Sequence, residues 1–292
     1  MLIDPPPLEP NRLMALAIPR RDVAYVERDA MLYALAVGCG SSPWEPDLPF
    51  VYEQSQLSGQ GLRVVPSMAT MLAFDDSWLE PGGIDLSRVV HGALDLTFHH
   101  PLAPAGVVEV ASRIIGLSDK GAGRGGVVLQ ETILTQNGVA ACASLSTLFA
   151  RGGGGFGGSV GEQAAAHAVP DRAADRVLAV PTAANQALLF RLLGDRNPLH
   201  VDPAVAERAG VGKPILHGAC TFGIACVTLL RVFCGMEPGR LTRLAARFAG
   251  PLYPGETLAF AFWEEADGIA FRAVAREREA IVLDNGWAVL AR

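Results

Sequence analysis

Short segments rich in Val, Leu, Ala and Phe recur at 107–117, 126–135, 138–149, 240–249, 256–264, 269–276 and 280–290, parted by Gly, Asp and Asn. That pattern predicts strands. SDKGAGRGG (118–126) and EADG (265–268) are turn signals, and LDNGW (283–287) holds the hairpin dipeptide Asn285-Gly286. One apolar run differs. GACTFGIACVTLLRVFCG, residues 218–235, is broken only by Arg231. It is too short to span a bilayer and predicts a long buried helix. Antiparallel strands with such a helix predict an α+β layer architecture.

The stretch LLGDRNPLHVDP (192–203) predicts a helix, a tight turn and a second helix. Gly194 is a natural helix stop. Pro198 turns Asn197 away from helical angles. Asp195 and Asn197 suit a turn in which side chains bond local backbone. The second helix starts at Pro203, with Asp202 as its cap.

Two halves carry weak copies of one pattern. The first has MLYALAVGCG (31–40), VVHGAL (89–94) and HPLAPAG (100–106); the second has ALLFRLLGDRNPLH (187–200), PILHGA (214–219) and GPLYPGE (250–256). The shared order is helix, His-Gly, Pro-Leu-x-Pro, strands, which a duplicated unit explains. The second copy has 34 residues from His217 to Pro251, room for the long helix, whereas the first has 10 from His91 to Pro101. The first copy also has Cys39-Gly40 where the second has Asp195. A sheet lacking its covering helix leaves apolar space for a ligand. Boundaries follow at 1–150 for the first repeat, 151–172 for a flexible glycine-rich linker and 173–292 for the second. In the linker, Gly153, Gly155 and Gly158 satisfy G-x-G-x-x-G. No apolar helical stripe follows, and Asp175 precedes its strand RVLAV, so a dinucleotide site is set aside.

Composition narrows the partners. A net charge of −6 without a long basic run argues against nucleic acid. The first residues, MLIDPPPLEP, lack the basic and apolar regions of a signal peptide, and VLAR at the end matches no targeting signal. Cysteines at 39, 142, 220, 226 and 234 form neither a disulfide framework nor a zinc pattern. The expectation is a cytoplasmic protein with reduced thiols, no bound metal and no membrane association.

Asp195 and His200 are the candidate chemistry. On a continuous helix or strand they would diverge, but a turn can aim both at one spot. Alternatively, Asp195 merely closes the turn. Gly218 stands where a loop enters the long helix, whose first amides are unpaired and carry the positive end of the dipole. It either stabilises a developing oxyanion or only permits tight packing, with His217 as a local cap.

The string FRLLGDRNPLHVDPAVAERAGVGKPILHGACTFG (190–223) resembles the hydratase-2 motif of the MaoC-like (R)-specific enoyl-CoA hydratases, including the hydratase portion of peroxisomal multifunctional enzymes of type 2. ARFAGPLYPGETL (246–258) resembles the family's next strand, and VVHGALDLTFHHPL (89–102) its N-terminal repeat. The resemblance implies a double hot-dog fold of two curved antiparallel sheets, with the long central helix complete only in the C-terminal repeat. The N-terminal repeat then accepts the acyl chain. It also implies reversible hydration of trans-2-enoyl-CoA to (3R)-hydroxyacyl-CoA, a step of fatty-acid metabolism such as β-oxidation. Asp195 and His200 would be the catalytic pair, Gly218 the oxyanion amide, and Asn197 a support for the turn or the water. No cofactor is implied, since CoA is part of the substrate. Its phosphates call for basic residues, and Lys213, Arg247 and Arg196 stand nearest the motifs. The family's first repeat reads His-Gly-Glu-Gln where this chain has His91-Gly92-Ala93-Leu94. Ala93 cannot replace that glutamate, which leaves the acyl group open among fatty, branched and steroid chains. Two fused repeats form a self-sufficient pseudo-dimer, and a homodimer of such chains is a natural further assembly. A hot-dog thioesterase and a non-catalytic acyl-CoA binding module are the rival readings. Binding alone needs no acid–base pair.

Overall fold

The computed structural model describes residues 6–41, 45–54, 61–165 and 167–291. Its strands are β1 (Arg21–Tyr25), β2 (Val89–Phe98), β3 (Gly106–Asp119), β4 (Gly125–Gln136), β5 (Val139–Arg151), β6 (Ser159–Gly161), β7 (Arg176–Pro181), β8 (Leu241–Phe248), β9 (Thr257–Glu265), β10 (Gly268–Ala275) and β11 (Ala280–Leu290). The α-helices are α1 (Pro10–Met14), α2 (Glu27–Ala36), α3 (Leu48–Val51), α4 (Ala69–Ala73), α5 (Gln186–Phe190), α6 (Pro203–Arg208) and α7 (Gly218–Leu229). All seven expected strand segments are strands. So is RVLAV.

The sheets of the two halves join edge to edge. Strand order is β1-β3-β4-β5-β2-β8-β11-β10-β9-β7, with β6 added beside β3. The order is symmetric about the antiparallel β2–β8 junction, where Ala93 faces Arg247 and Thr97 faces Arg243. Arg243 clamps Asp95 across this seam through two hydrogen bonds of 2.9 and 2.6 Å. Strand β2 therefore matches β8, and the Pro-Leu-x-Pro segments after them are equivalent loops. The His-Gly pairs are not equivalent. His91-Gly92 lies within β2, whereas His217-Gly218 opens α7.

The Asn-Gly expectation needs correction too. Asn137 (φ 53°) and Gly138 (φ 78°) form the two-residue hairpin between β4 and β5. Asn285 (φ 54°) instead lies inside β11, at a register shift against β8 between Asp284 and Trp287. Gly286 is needed there because a Cβ would stand 2.6 Å from the Phe271 ring. The β10–β11 connection turns at 276–279, where Glu279 has φ 51°.

Helix α7 is apolar on every side and is buried from Cys220 to Leu229. A helix of that kind needs cover all round. Strands β8 and β11 flank it, and the segment Pro66–Met68 and α2 close over it. The approach of α2 is close: a Cβ on Gly223 would lie 2.4 Å from Val37 Cγ1 and 2.8 Å from Tyr33 Oη. Where α7 ends, Arg231 ion-pairs with the fully buried Asp47, which also accepts the Gly40 amide. Among the described residues of the first half no long helix covers the sheet, as expected, but the space is not empty. The five-residue α4 packs on β3, β4 and β5.

The glycine-rich stretch is held, not free. Gly155 and Gly157 donate backbone N–H groups to the two carboxylate oxygens of Asp119 at 2.8 and 2.7 Å. Gly121 adds a third such bond at 2.7 Å. These amides pull the Asp119 carboxyl down to about 2. The glycines of the G-x-G-x-x-G string thus lie beside one of the chain's own carboxylates, and β6 follows them instead of a crossover helix. Among the described residues no helix is long and apolar enough to cross a membrane.

Candidate active site

Helix α5 tightens into a 3-10 turn at Arg191–Leu193, and Gly194, at φ 131°, ends it. Two side-chain turns then fold the chain back. Asp195 Oδ1 accepts the Asn197 amide at 3.1 Å, and Asn197 Oδ1 accepts the Leu199 amide at 3.0 Å. Asn197 has φ −52° and ψ 122°, as a residue before proline should. Asp202 caps α6 by accepting the amides of Ala204 and Val205. The turn read from the residues is thus present in each part.

The turn delivers His200 to a buried position, where its Nδ1–H donates to the Ile215 carbonyl at 2.8 Å. Nε2 is then the unprotonated nitrogen. Burial holds the imidazole below its usual pKa, against the opposing pull of the Ile215 carbonyl and Asp195. His217 lies face to face with it, ring centroids 3.7 Å apart and planes within 24°. Its Nε2–H donates to the Asp195 main-chain carbonyl at 3.2 Å, and its buried Nδ1 has no partner. Burial first, then the neighbouring His200, pushes His217 down to about 3.

One ligand-type atom from each of Asp195, His200 and His217 falls within 4.8 Å of the others. Three points so spaced lie within about 2.8 Å of a common centre, the length of one hydrogen bond to a single water. No other group of three or more His, Cys, Asp and Glu among the described residues meets this closely.

Gly218 follows His217 and is the first residue of α7, so its amide has no preceding helical carbonyl to bond. His217 makes no side-chain cap there, which removes the local-cap reading. The ring of Phe248 stands 3.3 Å from the position of a Cβ on Gly218. Phe248 also touches His91, at 5.1 Å between centroids. A bulge at Gly92 brings His91 to the same side as Leu94 and Ser146, and Ser146 Oγ is 2.8 Å from His91 Nε2. Burial lowers the His91 pKa to about 4, and the Asp195 charge opposes this shift. The first half therefore reaches the site.

The three basic candidates separate. Arg196 is exposed on the turn, and Lys213 lies with Nζ 4.4 Å over the Tyr253 ring. Arg247 is not with them. Strand alternation sends it to the face opposite Phe248 and Gly218, where it pairs with Asp284 at 2.9 Å. His217 and His91 were absent from the expected site. No local pattern signals that His217 stacks on His200, and a bulge that rotates His91 leaves no local signal either.

Residues 165–285 match the MaoC like domain, and residues 23–152 match the MFE-2 hydratase 2 N-terminal domain. The 3-hydroxyacyl-thioester dehydratase Y of Mycobacterium tuberculosis is 37% identical over 96% of this chain and 97% of its own length. The chain belongs to the MaoC-like hydratase and dehydratase family. Another member, the peroxisomal enoyl-CoA hydratase 2 of Arabidopsis thaliana, is 34% identical over 93% of this chain and 92% of its own. The crystal structure of a MaoC-like dehydratase from Phytophthora capsici superposes with a TM-score of 0.86 at 29% identity, covering 98% of this chain and 99% of that one. The symmetric sheet around α7 is the double hot-dog arrangement of the MaoC-like proteins.

Proposed function

We propose that this chain hydrates trans-2-enoyl-CoA to (3R)-hydroxyacyl-CoA and dehydrates it in reverse. The observation that carries the reading is the meeting of the Asp195 carboxylate with His200, within 4.8 Å, beside the residue that opens α7. Membership of a family whose named relatives are hydratases and dehydratases agrees with it.

Water bound between Asp195 and His200 attacks C3 of the enoyl group. His200 Nε2, bare because Nδ1–H is engaged, takes the proton as the C3–O bond forms. Electron density moves through C2 to the thioester oxygen, and the Gly218 amide donates to that oxygen. One such preorganised donor is worth about 10²–10³ in rate. The pair then returns one proton to C2, so the sum is enoyl-CoA plus water and no cofactor is consumed. General acid–base transfer contributes about 10²–10⁴. Asn197 keeps the turn closed, and Arg196 and Lys213 are the cations for the CoA phosphates. The acyl chain enters the first repeat, where only the short helices α1 and α4 pack on β3–β5. The enzyme works in the cytoplasm, whose reducing conditions suit five buried free thiols. It works as a homodimer.

The test is Asp195→Asn, assayed with crotonyl-CoA by enoyl absorbance and by free thiol. Wild-type protein should lose absorbance without releasing thiol, and the variant should lose at least about 10²-fold in kcat at an unchanged unfolding midpoint. Release of thiol by the wild type would mean a thioesterase. Full hydration by the variant would end the proposal.

A further inference from the structure

Both members of the pair are tied to one short segment. The Ile215 carbonyl holds His200 through Nδ1–H, and the His217 Nε2–H holds the Asp195 carbonyl at 3.2 Å. Within the turn the Asp195 side chain accepts the Asn197 amide, so His217 fastens the Asp195 end of the turn to the body of the protein as Ile215 fastens the His200 end. Its ring lies between Phe190, at 4.9 Å, and His200, at 3.7 Å, and is 1% exposed. The next residue is Gly218. From this geometry we infer that His217 is a positioning residue that sets the carboxylate, the imidazole and the helix amide relative to one another. It does not deliver the proton itself, because its one N–H is committed to a main-chain carbonyl. The inference rests on the hydratase reading above.

Two substitutions separate its two contacts. His217→Phe keeps a flat ring against His200 and loses the N–H. His217→Gln keeps a donor for the Asp195 carbonyl and loses the ring. The charged and titratable groups around His200 are Asp195 and His217, with Arg191 behind His217 and His91 facing Asp195. Asp195 raises the His200 pKa and burial lowers it. In the Phe variant the turn loosens, the Asp195 influence weakens, and the acid limb of the kcat profile moves to lower pH. In the Gln variant water reaches His200, and the limb moves to higher pH. The Phe variant should lose about 10–10²-fold in kcat for crotonyl-CoA, as misplacement of reacting groups does, with KM nearly unchanged. A residue that only fills space would leave the limb of the Phe variant where it is, because phenylalanine fills the same space. Wild-type kcat and an unmoved limb in the Phe variant overturn the inference. If that variant does not fold, an unmoved limb in the Gln variant does so. Asp195→Asn, run alongside, stays inactive in either case, so failure here is distinct from failure of the hydratase reading.

Discussion

At the scale of single residues, the site depends on keeping imidazoles neutral. His91, His200 and His217 all titrate below 6.5 because burial disfavours their charged forms. The unfolded chain therefore binds more protons than the native one below pH 6.5, and stability falls as pH falls toward about 4. Each histidine fully protonated only in the unfolded state adds about 1.4 kcal/mol per pH unit to that loss. Urea midpoints measured at pH 7, 6 and 5 should decline across that range, above the range in which Asp119, at about 2, would matter. The pair Asp195–His200 could be read from residues because Gly194, Asn197 and Pro198 dictate a local turn. His217 could not. Its stacking on His200 is a contact across 17 residues of chain, and local pattern carries no information about it. The same limit explains Arg247: its nearness to a motif in sequence said nothing about which face of β8 it takes.

At the scale of elements, the strands announced themselves because their apolar segments are long and bounded by Gly, Asp or Asn. Strand β2 was missed where Gly92 breaks its alternation with a bulge. The dipeptide Asn-Gly occurs twice and does two things, because Gly286 answers to the Phe271 ring rather than to a turn. Helix α7 was legible as a run of apolar residues, but its tightest demand was not. In an exposed helix, alanine in place of glycine stabilises by about 1 kcal/mol. At 223 the added methyl would meet Val37 and Tyr33 at distances no real Cβ tolerates. Gly223→Ala should instead destabilise by about 1–3 kcal/mol, the cost of overpacking. A urea melt of the variant checks the sign; an unchanged or raised midpoint would show that α2 yields freely.

At the scale of the whole molecule, duplication was visible in the repeated helix and Pro-Leu-x-Pro segments, although the His-Gly pairs suggested a false equivalence. What could not be read was the junction, since nothing in a strand's own residues names its partner. The β2–β8 ladder and the Arg243–Asp95 clamp join the halves directly. Residues 1–150 and 173–292 produced as separate chains should therefore associate when mixed, and size-exclusion chromatography would show one species with the mass of the sum. Two separately eluting species would show that covalent connection is required.

His91 comes from one side of that junction and Asp195 from the other, and Phe248 packs on His91. Turnover then reports on assembly. A protein whose halves have parted retains the Asp195 turn but loses the wall facing it, so catalytic output should vanish at milder denaturant than the far-ultraviolet signal of the strands.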